Sequence, residues 1–457
     1  MSLDFINDKN KKIHFIGIGG ISMSGLAEIM LKNGFKVSGS DRKQSHITSK
    51  LEHLGALIYA EHKSENVEGK DIVVYTAAIA SDNPELLKAK ELGLTMYDRA
   101  EFLGKIMQGH KYNIAVSGTH GKTTTTSMMS HIALSAEVDP TILVGGELDA
   151  IGGNILVGES DYLITEACEY KESFLKFYPY IGIILNVDAD HLDYYRDINH
   201  IKDAFAKFIK IIPKDGYLVA NADDANLMSI IDSADCNLVS FGIKNGDIRA
   251  KDIAFYDDGT TSYTVCKNGE DLFSVKLSVP GEHNILNSLS TIAAALSLDI
   301  SYDAIKDGLY NYKGTHRRFE VKGVKDGVTV IDDYAHHPTE ILSAIKTALR
   351  YPHNKIYCLF QPHTYTRTYN LFKEFSDCFN GVDSLLIADI YAAREKDTGL
   401  VNSKDLAKKI AEKGVNAAYI PDFDKMVTFL KENCKEGDLI LTVGAGDINT
   451  VGELYLK

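Results

Sequence analysis

Three features of the sequence predict an α/β chain of three domains. Short apolar β-type runs recur along it, end in polar residues and alternate with helix-compatible stretches. Two of these runs open into glycine loops, at Gly17 and at Gly118, and each loop leads into a helical pattern. At 457 residues the chain has room for several domains of roughly 150 residues. The expected boundaries are 1–108, 109–318 and 319–457.

The first domain opens on Ile13-His14-Phe15-Ile16, a β-type run. Gly17-Ile18-Gly19-Gly20-Ile21-Ser22 follows, then a helical pattern ending at Gly34. Phe35-Lys36-Val37-Ser38 reads as a second strand with Asp41 at its tip. Strand, glycine loop, helix and strand with a terminal acid form a Rossmann-like unit. Ser22 stands where the dinucleotide fingerprint has its third glycine, so the case for NAD is weak. The loop can still hold a diphosphate on the helix N-terminus. Asp41 is either a ribose ligand or a solvated loop acid. Further strands are expected over 56–59 and 71–76, and Asn83-Pro84-Glu85 opens a helix.

The central domain is organised around 113–126, NIAVSGTHGKTTTT. Ile114-Ala115-Val116 reads as a buried strand. Gly118-Thr119-His120-Gly121-Lys122-Thr123-Thr124 reads as a triphosphate cradle, with a helix-compatible run over 125–135. The two glycines allow a tight turn, Lys122 supplies a point charge, and Thr123 offers a hydroxyl to Mg²⁺. Two later strands end at Glu166 and at Asp188-Ala189-Asp190-His191. Parallel strands align their tips, so Glu166, Asp190 and His191 are expected near Thr123. Carboxylate, imidazole and hydroxyl groups suit Mg²⁺; zinc-type Cys/His spacing is absent. A helix is expected over 202–210 and a strand-rich stretch over 217–275. His283, Asn284 and Asn287 fall within one helical turn. They either read an adenine edge or cap the helix. A P-loop ATPase-like domain with a mixed sheet results.

Gly314-Thr315-His316-Arg317-Arg318-Phe319-Glu320 reads as the hinge into the third domain. Its paired arginines either grip phosphate oxygens or form a basic turn. A second Rossmann-like pattern follows. Its strands end at Asp332-Asp333, Gln361, Asp389 and Gly444.

Composition excludes some functions. The net charge of −14 argues against a general nucleic-acid or anionic-membrane binder. Six scattered cysteines without a C-x-x-C pair suit a reducing compartment. No N-terminal h-region and no long apolar run is present, so no membrane insertion and a cytoplasmic location are expected.

The ordered set GIGGISMSG, DNPE, GTHGKTTTT, ADH, HN-x-x-N, HRRF, DDYAHHPTE and PHTYTRT resembles the Mur ligase family over essentially the whole chain. The resemblance implies a UDP-substrate-binding first domain, a central ATPase domain and a third domain that brings in the amino acid. It implies Gly17, Gly19, Gly20, Ile21, Ser22 and Asp41 at the UDP-substrate. It implies Gly118 through Thr124 with His283, Asn284 and Asn287 at ATP, and Thr123, Glu166 and His191 at Mg²⁺. Lys122, Glu166, His191, Arg318 and Asp333 are implied as the catalytic set. The implied activity joins L-alanine to the carboxylate of UDP-N-acetylmuramate through an acyl phosphate, in peptidoglycan precursor synthesis. Alternatives are a muramyl-peptide recycling ligase or a ligase adding a later amino acid. The chain would act as a monomer or homodimer. Where the family usually has an EADES-type segment, this sequence has Glu166-Ala167-Cys168-Glu169-Tyr170-Lys171. Some relatives carry a carbamylated lysine near a second metal, for which Lys207 is the nearby candidate.

Overall fold

The computed structural model describes residues 8–76, 79–397 and 399–457. The first seven residues of the expected N-terminal domain therefore lie outside the described residues. Among the described residues, three sheets follow one another along the chain.

The first sheet is wholly parallel. It contains β1 (Lys12–Ile16), β2 (Lys36–Ser40), β3 (Leu57–Tyr59), β4 (Ile72–Tyr75) and β5 (Thr95–Asp98), in the order β3-β2-β1-β4-β5. The order reverses beside β1, which opens a crevice at the strand C-termini. Helix α1 (Ile21–Lys32) starts there, and α2 (Pro84–Glu91) follows β4. Asn83 caps α2 by accepting from the Glu85 and Leu86 N–H groups, and Pro84 occupies the first turn.

The central sheet has ten strands. These are β6 (Tyr112–Ser117), β7 (Thr141–Leu148), β8 (Gly153–Leu156), β9 (Tyr162–Glu166), β10 (Ile181–Ile184), β11 (Tyr217–Asn221), β12 (Asn237–Gly242), β13 (Ile248–Phe255), β14 (Thr261–Lys267) and β15 (Glu270–Leu277). Their order is β15-β14-β13-β12-β11-β10-β6-β9-β7-β8. Strand β6 lies between β9 and β10, parallel to both. The loop after β6 therefore meets the tips of the strands carrying Glu166 and the 188–191 segment. Helix α3 (Lys122–Ser135) begins at Lys122, ahead of the expected run, because Gly121 serves as its N-cap in the left-handed region at φ 86°. Helices α4 (Ile198–Lys210) and α5 (Glu282–Ser297) pack on this sheet. The interior apolar cluster from α1 and β1 runs on into β9 and α4, so the first two domains share a core.

The third sheet contains β16 (Glu320–Lys325), β17 (Val328–Asp333), β18 (Ile356–Phe360), β19 (Ser384–Ile387), β20 (Ala417–Tyr419) and β21 (Leu439–Val443), in the order β16-β17-β21-β18-β19-β20. Helix α6 (Pro338–Ala348) follows β17. Strands β5, β7, β8, β16 and β20 were not expected from sequence. They are short, interrupted by glycine, or at edges, where the apolar run is weak.

Candidate active site

The loop after β6 is built by two glycines. Gly118 stands at φ 135°, and an added Cβ would come within 3.0 Å of the Leu185 Cβ and 3.1 Å of its backbone nitrogen. At Gly121 an added Cβ would meet the Asn287 Oδ1 at 2.7 Å. Asn186 holds the loop from the tip of β10: the His120 N–H donates to its Oδ1 at 2.8 Å, and its Nδ2 donates to the His120 carbonyl at 3.1 Å.

Lys122 bends back over this loop. Its Nζ donates to the Thr119 carbonyl at 3.0 Å and to Glu169 at 3.0 and 3.3 Å. Burial opposes the lysine charge, but the Glu169 carboxylate more than offsets this and holds the group above its ordinary value. Sequence reasoning missed Glu169, although its place three residues beyond Glu166 on the same strand tip was a usable signal. Glu166 Oε1 accepts from the Gly145 N–H at 2.7 Å. A Cβ at Gly145 would strike this carboxylate at 2.7 and 2.8 Å, so the glycine admits it. His191, at φ 54°, places Nε2 3.6 Å from Glu169 Oε1 and packs its ring, tilted, against Tyr170. Lys207 lies apart from this cluster: it is more than half exposed and pairs with Glu172 at 2.8 Å.

A cavity of about 320 Å³ lies between the central and third domains. His120, Gly121, Thr124, His283, Asn284, Asn287, Arg318 and Asp333 all line it, with Leu185, Phe241, Val279 and Tyr312 as apolar walls. An apolar slot rimmed by amides and cations suits a nucleobase and its phosphates. Asn284 donates to the Pro280 carbonyl at 2.7 Å, and Asn287 donates to Asn284 Oδ1 at 3.2 Å. Burial, with Arg318 nearby, pushes His283 down to about 4. Burial pushes Asp333 up to about 6 against the pull of Arg318 and of the Ala335 and Phe319 N–H groups. Gly118, Thr119, Lys122, Thr123, Glu166 and His191 lie outside the cavity lining, and His191 instead lines a small cleft with Arg367 and Glu395.

The third domain grips the glycine loop. His120 bridges Asp188 and Glu340, each at 3.2 Å, and Thr339 donates to Asp188 at 2.7 Å. Burial disfavours a charged His120, yet the two carboxylates raise it to about 9. His337 donates from Nε2 to the Ala189 carbonyl at 3.1 Å and accepts from the Thr339 N–H at 3.3 Å. Arg367 forks onto Asp190 at 3.1 and 3.3 Å. Ligating atoms of His120, Asp188 and His337 lie within 4.8 Å of one another, but hydrogen bonds already engage all three side chains.

The first domain holds a second cleft, of about 820 Å³. Gly17, Gly20, Ile21, Ser22 and Asp41 line it, joined by Arg42, Arg99 and, from the third domain, Arg394. Gly19 sits behind the lining: its N–H donates to Asp41 Oδ2 at 2.9 Å, so this acid braces the loop.

The chain matches three family models in order: "Mur ligase family, catalytic domain" over 12–111, "Mur ligase middle domain" over 116–295 and "Mur ligase, glutamate ligase domain" over 317–446. It is 62% identical to the UDP-N-acetylmuramate–L-alanine ligase of Clostridium acetobutylicum, with all of both chains covered. Among solved structures, it is similar to the UDP-N-acetylmuramate–alanine ligase of Thermotoga maritima at 31% identity and a TM-score of 0.79, covering 97% of this chain and 98% of that one. A murein peptide ligase of Psychrobacter arcticus shares the fold at 23% identity and a TM-score of 0.69, covering 98% of both chains. With motifs in family order, three matched domains and end-to-end identity to one of its members, this chain belongs to the Mur ligase family.

Proposed function

We infer that the chain joins L-alanine to the carboxylate of UDP-N-acetylmuramate with hydrolysis of ATP to ADP and phosphate, in peptidoglycan precursor synthesis. The observation that carries this reading is the 62% identity, without gaps in coverage, to a relative named for that reaction. The recycling alternative rests on likenesses of 23% and 27%, against 62% and 31% for the relatives named for alanine addition. In this reading the first cleft takes the UDP-sugar, the interdomain cavity takes ATP, and the third domain delivers the amino acid. The domains are assigned as 1–108, 109–318 and 319–457. In this reading the enzyme works in the cytoplasm, where its six free thiols would stay reduced.

A carboxylate does not react with an amine at neutral pH, because hydroxide is a poor leaving group. Phosphorylation of the carboxylate supplies a good one. Lys122 leaves Glu169 to meet the phosphoryl group in transit. Thr123, Glu166 and His191 would hold Mg²⁺. The donor set fits: Thr123 Oγ1 carries no hydrogen bond among the described residues, and only one Glu166 oxygen is engaged. Bound there, the ion supplies charge neutralisation at the phosphoryl oxygens. Arg318 faces the cavity beside Asp333 and grips phosphate oxygens.

The amine of alanine must lose a proton as it attacks the acyl phosphate. His337 has both ring nitrogens engaged and drops out as acceptor. His336 donates from Nδ1 to the Tyr334 carbonyl at 2.9 Å, and burial pushes it down to about 4. Its Nε2 is therefore a neutral acceptor, and it joins Asp333 as a proton-accepting group of the third domain. The His120, Thr339 and Arg367 contacts keep the two domains together and water out. Phosphate release would be measured with UDP-N-acetylmuramate and either L-alanine or a muramyl-type tripeptide. Turnover should require L-alanine, and equal or faster turnover with the tripeptide overturns the assignment.

A further inference from the structure

The UDP-sugar cleft has a polar floor that the ligation chemistry does not use. Glu85, in the first turn of α2, is fully buried. Its carboxylate faces His14 Nε2 at 3.2 Å, Ser40 Oγ at 2.6 Å, His62 Nδ1 at 2.7 Å and Asn66 Nδ2 at 2.7 Å. Burial opposes its ionisation, yet the hydrogen bonds from His14, Ser40, Asn66 and His62 hold it below its ordinary value. An ionised carboxylate only accepts, so every group facing it must donate.

For His62 this settles the tautomer. Ser40 Oγ also lies 2.9 Å from His62 Nδ1, but its own proton goes to Glu85. Nδ1 of His62 therefore carries hydrogen, and in the neutral ring Nε2 is a lone-pair acceptor. His62 lines the cleft with Gly20, Ser22 and Asp41, and its Nε2 makes no hydrogen bond among the described residues. Asp41, another acceptor lining this cleft, already takes the N–H groups of Gly19 and Lys43. An acceptor pointed at the ligand selects a donor. A diphosphate has no proton to offer at neutral pH, whereas uracil N3–H and the ribose hydroxyls do.

We propose that Glu85 is a positioning residue for nucleotide recognition: it fixes His62 with hydrogen on Nδ1, so that Nε2 accepts a hydrogen bond from the uridine part of the UDP-sugar. The proposal rests on the first cleft being the UDP-sugar site. His14, Asn66 and Ser40 serve as the frame that keeps the carboxylate ionised and in place.

The full-length protein, ¹⁵N-labelled at histidine, tests this without any substitution at Glu85. The His62 signals are identified by their loss in His62→Gln. The expected spectrum has hydrogen on Nδ1, with the Nε2 resonance moving on addition of uridine diphosphate. Calorimetry with the same probe separates the two ideas. Absence of uridine diphosphate binding sinks the assignment of the cleft. Binding with hydrogen on Nε2, or with an unmoved Nε2, overturns the role of His62 and Glu85. In Glu85→Gln, an amide N–H facing Nδ1 forces the opposite tautomer. The KM for UDP-N-acetylmuramate should then rise roughly tenfold, the worth of about one hydrogen bond, while kcat and the ATP KM stay within twofold. Uridine diphosphate methylated at N3, or lacking the 2′-hydroxyl, identifies the donor. Full affinity of the wild type for both of these analogues and for the analogue lacking the 3′-hydroxyl also overturns the proposal.

Discussion

The loop between β1 and α1 and the loop between β6 and α3 share a plan: a buried strand, closely spaced glycines, and a helix whose N-terminus faces a ligand space. They differ in what is added. The first is braced by Asp41 and contains no cation, and Gly20 caps its helix in an ordinary extended conformation at φ −69°. The second is braced by Asn186, turns through Gly121 in the left-handed region and ends in Lys122. A helix N-terminus offers roughly half a unit charge, enough to hold a resting diphosphate. Moving a phosphoryl group develops charge that needs a full cation. On the proposed reading, one backbone device serves binding in one domain and transfer in the next, with the lysine as the difference.

The sharpest way to break the comparison is to remove that lysine. Lys122→Ala should lower turnover by about a thousandfold or more while UDP-sugar binding persists. It also strands buried Glu169, so a fall in thermal stability should be relieved by adding Glu169→Gln. Circular dichroism and product formation measured together decide the matter, and near-normal turnover in a folded variant would sink the phosphate role.

The two capping glycines give the next largest effect. Gly121→Ala combines a left-handed backbone with a 2.7 Å approach to Asn287 Oδ1, and should cost about 1–3 kcal/mol with a matching loss of ATP affinity. Gly20→Ala meets nothing nearer than 3.5 Å and should be nearly silent. Gly20→Val, which fills the cleft, should weaken the UDP-sugar and spare ATP. Calorimetry giving the two alanine variants equal penalties would erase the distinction between the loops.

Metal comes third. His191→Ala should raise the Mg²⁺ requirement and slow acyl-phosphate formation, read by positional isotope exchange in ATP with the UDP-sugar and no alanine. Unchanged exchange at limiting Mg²⁺, beside a large rise in the alanine KM, would move His191 to the amino-acid site.

The smallest effect concerns contact with the third domain, made by the second loop through His120. Its folded value, about 9, lies above the ordinary 6.5. The stabilisation it gives is therefore fully present below pH 6.5 and lost as pH rises through 9. Thermal stability should fall by a few degrees over that window in the wild type and less in His120→Gln. Parallel curves would mean that the bridge contributes little to closure.

The sequence by itself determined the three-domain α/β plan, both glycine loops and the strand tips at Glu166, His191 and Asp333. Those are local properties: periodicity, turn chemistry and helix starts act over a few residues, so they are visible in one stretch of chain. It also put Lys122 at the start of the helix behind the glycine loop, because Gly121-Lys122-Thr123 is contiguous. Only the tertiary structure decided who pairs with whom. Lys122 meets Glu169 across 47 positions, Glu85 meets His62 across 23, and His120 meets Glu340 across 220. Arg394 reaches the first cleft from the third domain. Such pairings follow from strand order and domain docking, and the free energy that selects a charged partner in a buried site depends on geometry that no local pattern encodes.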